Sequence, residues 1–195
     1  MTDISSTNKE RTTEYLSNFN IIDLPLKDAS IIETSINQDE RGIFSRFFCN
    51  KELQNLLNGS EIVNINFSQS KQKGTLRGLH FQRDPHQEKK FVRCISGSIY
   101  DVIVDLRPDS NTYLKWFGIE LNENNKKMIY IPEGFAHGYQ TLENNSEIIY
   151  CVTNYYSPKD EAGLRYDEPS LKIDWPLEIT EISNKDMNYP NFVKL

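Results

Sequence analysis

Most of this chain is a succession of short extended runs, and that pattern limits its fold more than any single residue does. Residues 29–35, 43–48, 62–68, 91–95 and 99–106 read as strands, followed by 116–121, 127–131, 138–142 and 148–156. Turn-forming groups separate them: Asp39-Glu40-Arg41-Gly42, Asn124-Asn125 and Pro132-Glu133-Gly134. Ser96-Gly97-Ser98 reads as a hairpin turn between its two neighbouring strands. In the first half only residues 51–57, closed by Asn58-Gly59, carry a helical pattern. Many short strands with almost no helix predict an all-β sandwich or barrel.

The 195 residues suffice for one domain with a substantial core. Residues 1–22 read as a polar N-terminal extension, with Tyr15, Leu16 and Phe19 at roughly helical spacing, and 23–195 as the folded unit. A formal charge of −6 argues against non-specific nucleic-acid binding, though a local cation cluster could still take a phosphorylated small molecule. Three cysteines, odd in number and without a C-x-x-C, predict a reduced, cytoplasmic protein. No apolar run approaches membrane-spanning length, and the first residues carry no secretory apolar segment, which predicts no membrane partner.

Chemistry concentrates in Gly74-Thr75-Leu76-Arg77-Gly78-Leu79-His80-Phe81-Gln82. An imidazole suits proton abstraction near neutral pH, and a guanidinium suits a phosphate or carboxylate handle. From the residues alone a plainer reading stands beside this one, with His80 a satisfied core histidine and Arg77 a surface ion-pair partner. In a regular strand the two would face opposite sides, so one pocket can hold both only if the strand bulges, and Gly78 is the place for it. Just upstream, Val63, Ile65 and Phe67 alternate with Asn64, Asn66 and Ser68, which puts the polar three on one face.

Three further side chains are candidates, each with a structural alternative. His137 enters a strand after the 132–134 turn and could instead brace that turn. Lys90 shares a strand face with Val92 and Cys94, aimed either into a polar pocket or out to solvent. Tyr150 shares a face with Val152, Asn154 and Tyr156, as a core residue or as a proton donor. None of the three histidines, His80, His86 and His137, has the close histidine and carboxylate neighbours of a metal-binding jelly roll, so metal-free acid–base chemistry is expected, with no cofactor.

Eight pieces in order resemble the dTDP-4-dehydrorhamnose 3,5-epimerase family. They are Asp39-x-Arg41-Gly42-x-Phe44, Asn66-x-Ser68-x-Ser70, Leu76 to Gln82, Lys90 to Cys94, Tyr100 to Arg107, Ile131 to Gly138, Tyr155 to Pro158 and Ser183-x-Lys185-Asp186. The resemblance implies a cupin-type jelly roll (a double-stranded β-helix) with a few short helices, usually a homodimer, acting on a nucleotide-diphosphate sugar without a metal. By match, His80 is the base, Tyr150 the acid, Asp186 the group that orients the imidazole, and Lys90 the stabiliser of an enolate. Arg41 and Arg77 match diphosphate-binding positions, and Asn64, Asn66, His137, Glu161 and Lys185 match other substrate contacts.

The implied reaction is epimerisation at C3 and C5 of a 4-keto-6-deoxyhexose. Alternatives are a single-site 3- or 5-epimerase on a CDP-, GDP- or dTDP-linked sugar, and a non-catalytic sugar-nucleotide binding module. Two departures bear on the nucleobase: Arg46 stands where the family commonly has glutamate, and Asn64-Ile65-Asn66 where it has Gln-Asp-Asn.

Overall fold

Alternation at period two builds two antiparallel sheets that face each other across one core. The computed structural model describes residues 17–190. Its early strands are β1 (Phe19–Asp23), β2 (Ser30–Thr34), β3 (Ile36–Asp39) and β4 (Gly42–Ser45), then helix α1 (Gln54–Leu57). The central strands are β5 (Asn64–Ser70), β6 (Thr75–Gln82), β7 (Lys90–Ser96), β8 (Ser98–Asp105) and β9 (Trp116–Asn122). After them come β10 (Met128–Ile131), β11 (Phe135–Thr141), β12 (Ser146–Val152), β13 (Glu161–Gly163), β14 (Glu181–Ile182) and helix α2 (Asn184–Met187).

One sheet runs β1-β2-β10-β7-β12-β5 and the other β13-β6-β11-β8-β9, with β14 joined in parallel to β6. This is the expected jelly-roll sandwich. Val92, Ile103, Ile129 and Ile148 fill the space between the sheets. The neighbours of these residues point the other way. Phe91 and Cys151 pack outward under α1 and Phe19, while Val102 and Val104 pack outward under Leu171 and Trp175 of the C-terminal segment. The middle of each sheet is therefore covered on both faces, which is why Val102-Ile103-Val104 at the centre of β8 is apolar without alternation. Among the described residues no helix is long and apolar enough to cross a membrane.

Several expectations need correction. Ser96-Gly97-Ser98 does not join a hairpin: β7 pairs with β10 and β12, whereas β8 pairs with β11 and β9 in the other sheet. The chain crosses between sheets at Gly97 (φ 72°), where a Cβ would meet Ser146 Oγ at 2.7 Å. The proposed 1–22 extension overlaps the fold. Residues 19–23 pair with β2 and Phe19 is buried, while Tyr15 and Leu16 lie outside the described residues. Strand β5 alternates as expected but turns its apolar side outward, leaving Ile65 and Phe67 more than half exposed and Asn64, Asn66 and Ser68 facing in.

The Gly78 bulge is present. Between β11 and β6, His137 is opposite His80 but Tyr139 is opposite Arg77, so two residues on one strand span three on the other. Gly78 absorbs the extra residue at φ 120°, with Gly138 so close that a Cβ would come within 2.5 Å of its Cα. Arg77 and His80 consequently open onto the same cleft.

Candidate active site

The cleft lies between the sheets, and its floor is made by Tyr139 and Ile148 of the core. A cavity of about 420 Å³ holds Arg77, His137, Lys185 and Asp186. An adjoining lobe of about 300 Å³ holds Asn64, Asn66, Tyr156 and Glu161. His80, Lys90 and Tyr150 line both lobes and mark their junction.

His80 comes from β6 of one sheet, and Tyr150 and Lys90 come from β12 and β7 of the facing sheet. Face-to-face sheets stand roughly 10 Å apart. A flat ring lying between them has the imidazole on one side and the phenol on the other.

His80 Nε2 lies 2.7 Å from Asp186 Oδ1, and the other carboxylate oxygen of Asp186 accepts the Gly78 N–H at 3.1 Å. The tail folds to make this possible. Ser183 caps α2 by accepting the Asp186 N–H, which turns a buried carboxylate back toward the bulge. Burial alone would push the Asp186 carboxyl up, but the His80 contact, the Gly78 N–H and the Ser183 hydroxyl together hold it below the usual carboxylate range. A charged carboxylate therefore fixes the imidazole, with Nδ1 as the ring nitrogen left for other work. Tyr189 packs edge-on against the same ring, centroids 6.0 Å apart.

Tyr150 sits between Asn66 of β5 and Val92 of β7. Its hydroxyl takes no protein hydrogen bond among the described residues. Burial raises its pKa, the neighbouring Tyr139 and Glu88 raise it further, and Arg77 opposes them. The phenol thus stays protonated and free to give its hydrogen to something in the cleft.

Of the expected contact residues, most converge. Arg77 is braced at the cleft by bonds from Nε to Ser70 Oγ and from Nη2 to the Gln69 carbonyl. Asn64 and Asn66 share the second lobe, as their alternation predicted. Glu161 receives the Tyr156 hydroxyl at 2.8 Å and pairs with Lys185, joining β13 to α2 across the cleft mouth. His137, directly opposite His80, is buried and lines the cleft, and its ring bonds Asp101 Oδ2 of β8 at 2.8 Å rather than the backbone of the 132–134 turn it could have braced.

Arg41 does not converge. It sits at the tip of the β3–β4 hairpin, paired with Asp39 and 90% exposed, apart from the cleft residues. The departing residue Arg46 does not line either lobe and pairs with the buried Glu52 carboxylate, which additionally accepts from Asn18 and Ser17. The sequence reading missed Glu88, which faces Lys90 at 3.1 Å inside the second lobe. A spacing of two from Lys90 was the available signal, since such residues share a side in extended chain.

Comparison with known proteins identifies relatives of the whole fold. A model of the dTDP-4-dehydrorhamnose 3,5-epimerase family matches residues 23–194. The enzyme of that name from Shigella flexneri is 40% identical over 89% of this chain and 96% of its own length. That from Methanothermobacter thermautotrophicus is 42% identical over 89% and 95%. Among solved structures, the Bacillus anthracis dTDP-4-dehydrorhamnose 3,5-epimerase with TDP and pyrophosphate bound superposes with a TM-score of 0.86. It is 37% identical and covers 89% of this chain and 99% of that one. A Legionella pneumophila 3,5-epimerase in complex with dTDP-4-keto-L-rhamnose gives a TM-score of 0.82 at 40% identity, over 88% and 91% of the two chains.

Proposed function

The chain belongs to the dTDP-4-dehydrorhamnose 3,5-epimerase family, and from that premise we propose how its own residues carry out the reaction. It is an isomerase acting on a nucleotide-linked 4-keto-6-deoxyhexose, converting the glucose configuration at C3 and C5 to that of rhamnose. The C4 ketone acidifies the hydrogens on both carbons, because either carbanion delocalises onto the ketone oxygen.

His80 Nδ1 takes the hydrogen from one ring face while Asp186 holds Nε2–H and steadies the imidazolium that forms. The electron pair moves onto the C4 oxygen, where the Lys90 ammonium stabilises the enolate. Tyr150 returns a hydrogen to the opposite face, inverting the centre, and both groups re-equilibrate with solvent before the second centre reacts. Arg77 faces the diphosphate as a planar donor, and Asn64, Asn66, His137, Glu161 and Lys185 position the sugar nucleotide. The observation that carries this reading is the placement of imidazole and phenol on facing sheets at the junction of one cleft. Incubation with dTDP-4-keto-6-deoxyglucose, followed by proton NMR, should show the ring hydrogens change to rhamnose-type couplings. Substrate recovered unchanged would contradict the reading.

The reading includes a homodimer. Among the described residues strand β5 is a sheet edge carrying exposed Ile65 and Phe67, and the β3–β4 hairpin pairs with no other strand while exposing Ile36, Ile43 and Phe44. An uncovered edge and apolar patches of this kind call for a partner. A second copy would cover them and offers the route by which Arg41 reaches a diphosphate. Light scattering should give twice the 22.7 kDa chain mass, and Phe67→Asp should shift the particle toward monomer. A wild-type monomer at micromolar concentration would refute the dimer. The three free thiols, two of them buried, fit the cytoplasmic location included in this reading.

A further inference from the structure

Glu88 has no part in the reaction as described, yet it lies in the cleft against the groups that perform it. Its side chain is 12% exposed, as is that of Lys90, and its Oε1 lies 3.1 Å from the Lys90 Nζ. It lines the lobe that also holds His80, Tyr150 and Asn66. Lys90 has no other charged partner among the described residues.

We propose that Glu88 is a positioning residue for the epimerisation, tethering the Lys90 ammonium where the C4 oxygen gains charge and facing the Tyr150 phenol with a fixed negative charge. The proposal rests on the roles assigned above to Lys90 and Tyr150. A lysine head on a four-carbon stem is a mobile point charge, and aiming it costs side-chain entropy unless something already holds it. A carboxylate two positions earlier on the same side holds it before substrate arrives. The cost is a weaker field at the enolate oxygen, because the pair carries no net charge. The gain is direction, which counts most in a poorly solvated cleft.

The second effect falls on Tyr150. Burial most of all, then the neighbouring Tyr139 and Glu88, favour the protonated phenol, and Arg77 opposes them. Lys90, His80, His137, Lys185, Asp186 and Glu181 of the first lobe, with Glu161 and Tyr156 of the second, are the other titratable or charged groups of the cavity that Tyr150 lines, while β5 contributes the uncharged Asn64, Asn66 and Ser68. Removing the Glu88 charge lets the phenol lose its proton at lower pH, so the acid form needed for catalysis disappears earlier on the basic side.

The test is the pH profile of kcat for wild type, E88Q and E88D on dTDP-4-keto-6-deoxyglucose. E88Q keeps size and an acceptor for Lys90 but removes the charge. Its basic limb should move to lower pH, so that kcat falls about twofold where wild type is still on its plateau and several-fold further along the limb, with KM within about twofold. E88D, charged but shorter, should fall between the two. A purely structural role would lower activity evenly across pH and leave the limb in place. An E88Q limb superimposed on that of an active wild type, or a rise in KM with kcat unchanged, overturns the proposal alone. A wild type with no turnover removes the reaction reading, and this proposal with it. Should E88Q lose its melting transition, E88D decides: a profile identical to wild type overturns the proposal, and a partial downward shift supports it.

Discussion

His80→Asn lowers kcat by about 10³- to 10⁴-fold, with KM changed only a few-fold and the melting temperature nearly unmoved. A general base typically supplies 10² to 10⁴ of rate, and here the same imidazole serves two centres, which places the loss at the upper end. Asparagine fills much of the same space and can still donate to Asp186, so the buried carboxylate keeps a partner and the Gly78 and Ser183 contacts stay in place. His80 is also partly exposed, so little packing is lost. Steady-state kinetics beside a thermal melt checks this. An H80N enzyme within tenfold of wild type would mean that another group removes the hydrogen.

Tyr150→Phe separates the two halves of the reaction. Without the phenol, His80 can still take a hydrogen, exchange it with solvent and return it to the same face. Inverted product should fall by about 10²- to 10³-fold, while deuterium from solvent continues to enter unepimerised substrate. Because the hydroxyl has no protein partner among the described residues, its removal leaves none of their polar groups unsatisfied and stability should change little. NMR of the recovered sugar in heavy water reads both quantities at once. Y150F that inverts at the wild-type rate would place the acid elsewhere.

Much of this was legible in the sequence because extended chain obeys a strict period of two. That period puts Asn64 and Asn66 on one lining, and its conflict with Arg77 and His80 sharing a pocket locates the bulge at Gly78, where the strand pairing has it. Period two does not say which sheet a strand joins. The turn at 96–98 therefore read as a hairpin when it is a crossing between layers. Nor does it say which face is buried: β5 presents Ile65 and Phe67 outward, as an edge strand in a larger assembly can and an isolated sandwich should not.

Placement across long separations was legible only through family resemblance. Nothing local to Ser183-Asn184-Lys185-Asp186 says that its carboxylate reaches His80, more than a hundred positions earlier, through a capped turn of helix. Resemblance carries over only matched positions. That is why Arg41 was expected in a cleft from which its hairpin points away, and why Glu88 was passed over although it touches Lys90.

The central claim is that one imidazole and one phenol, on opposite walls of a single cleft, exchange hydrogens with solvent at both carbons flanking the ketone. Conversion of dTDP-4-keto-6-deoxyglucose by the wild-type protein in heavy water tests it most directly. The account predicts product carrying one deuterium at C3 and one at C5, both centres inverted. Product inverted at both carbons with no deuterium at either, or label confined to one carbon, would contradict it.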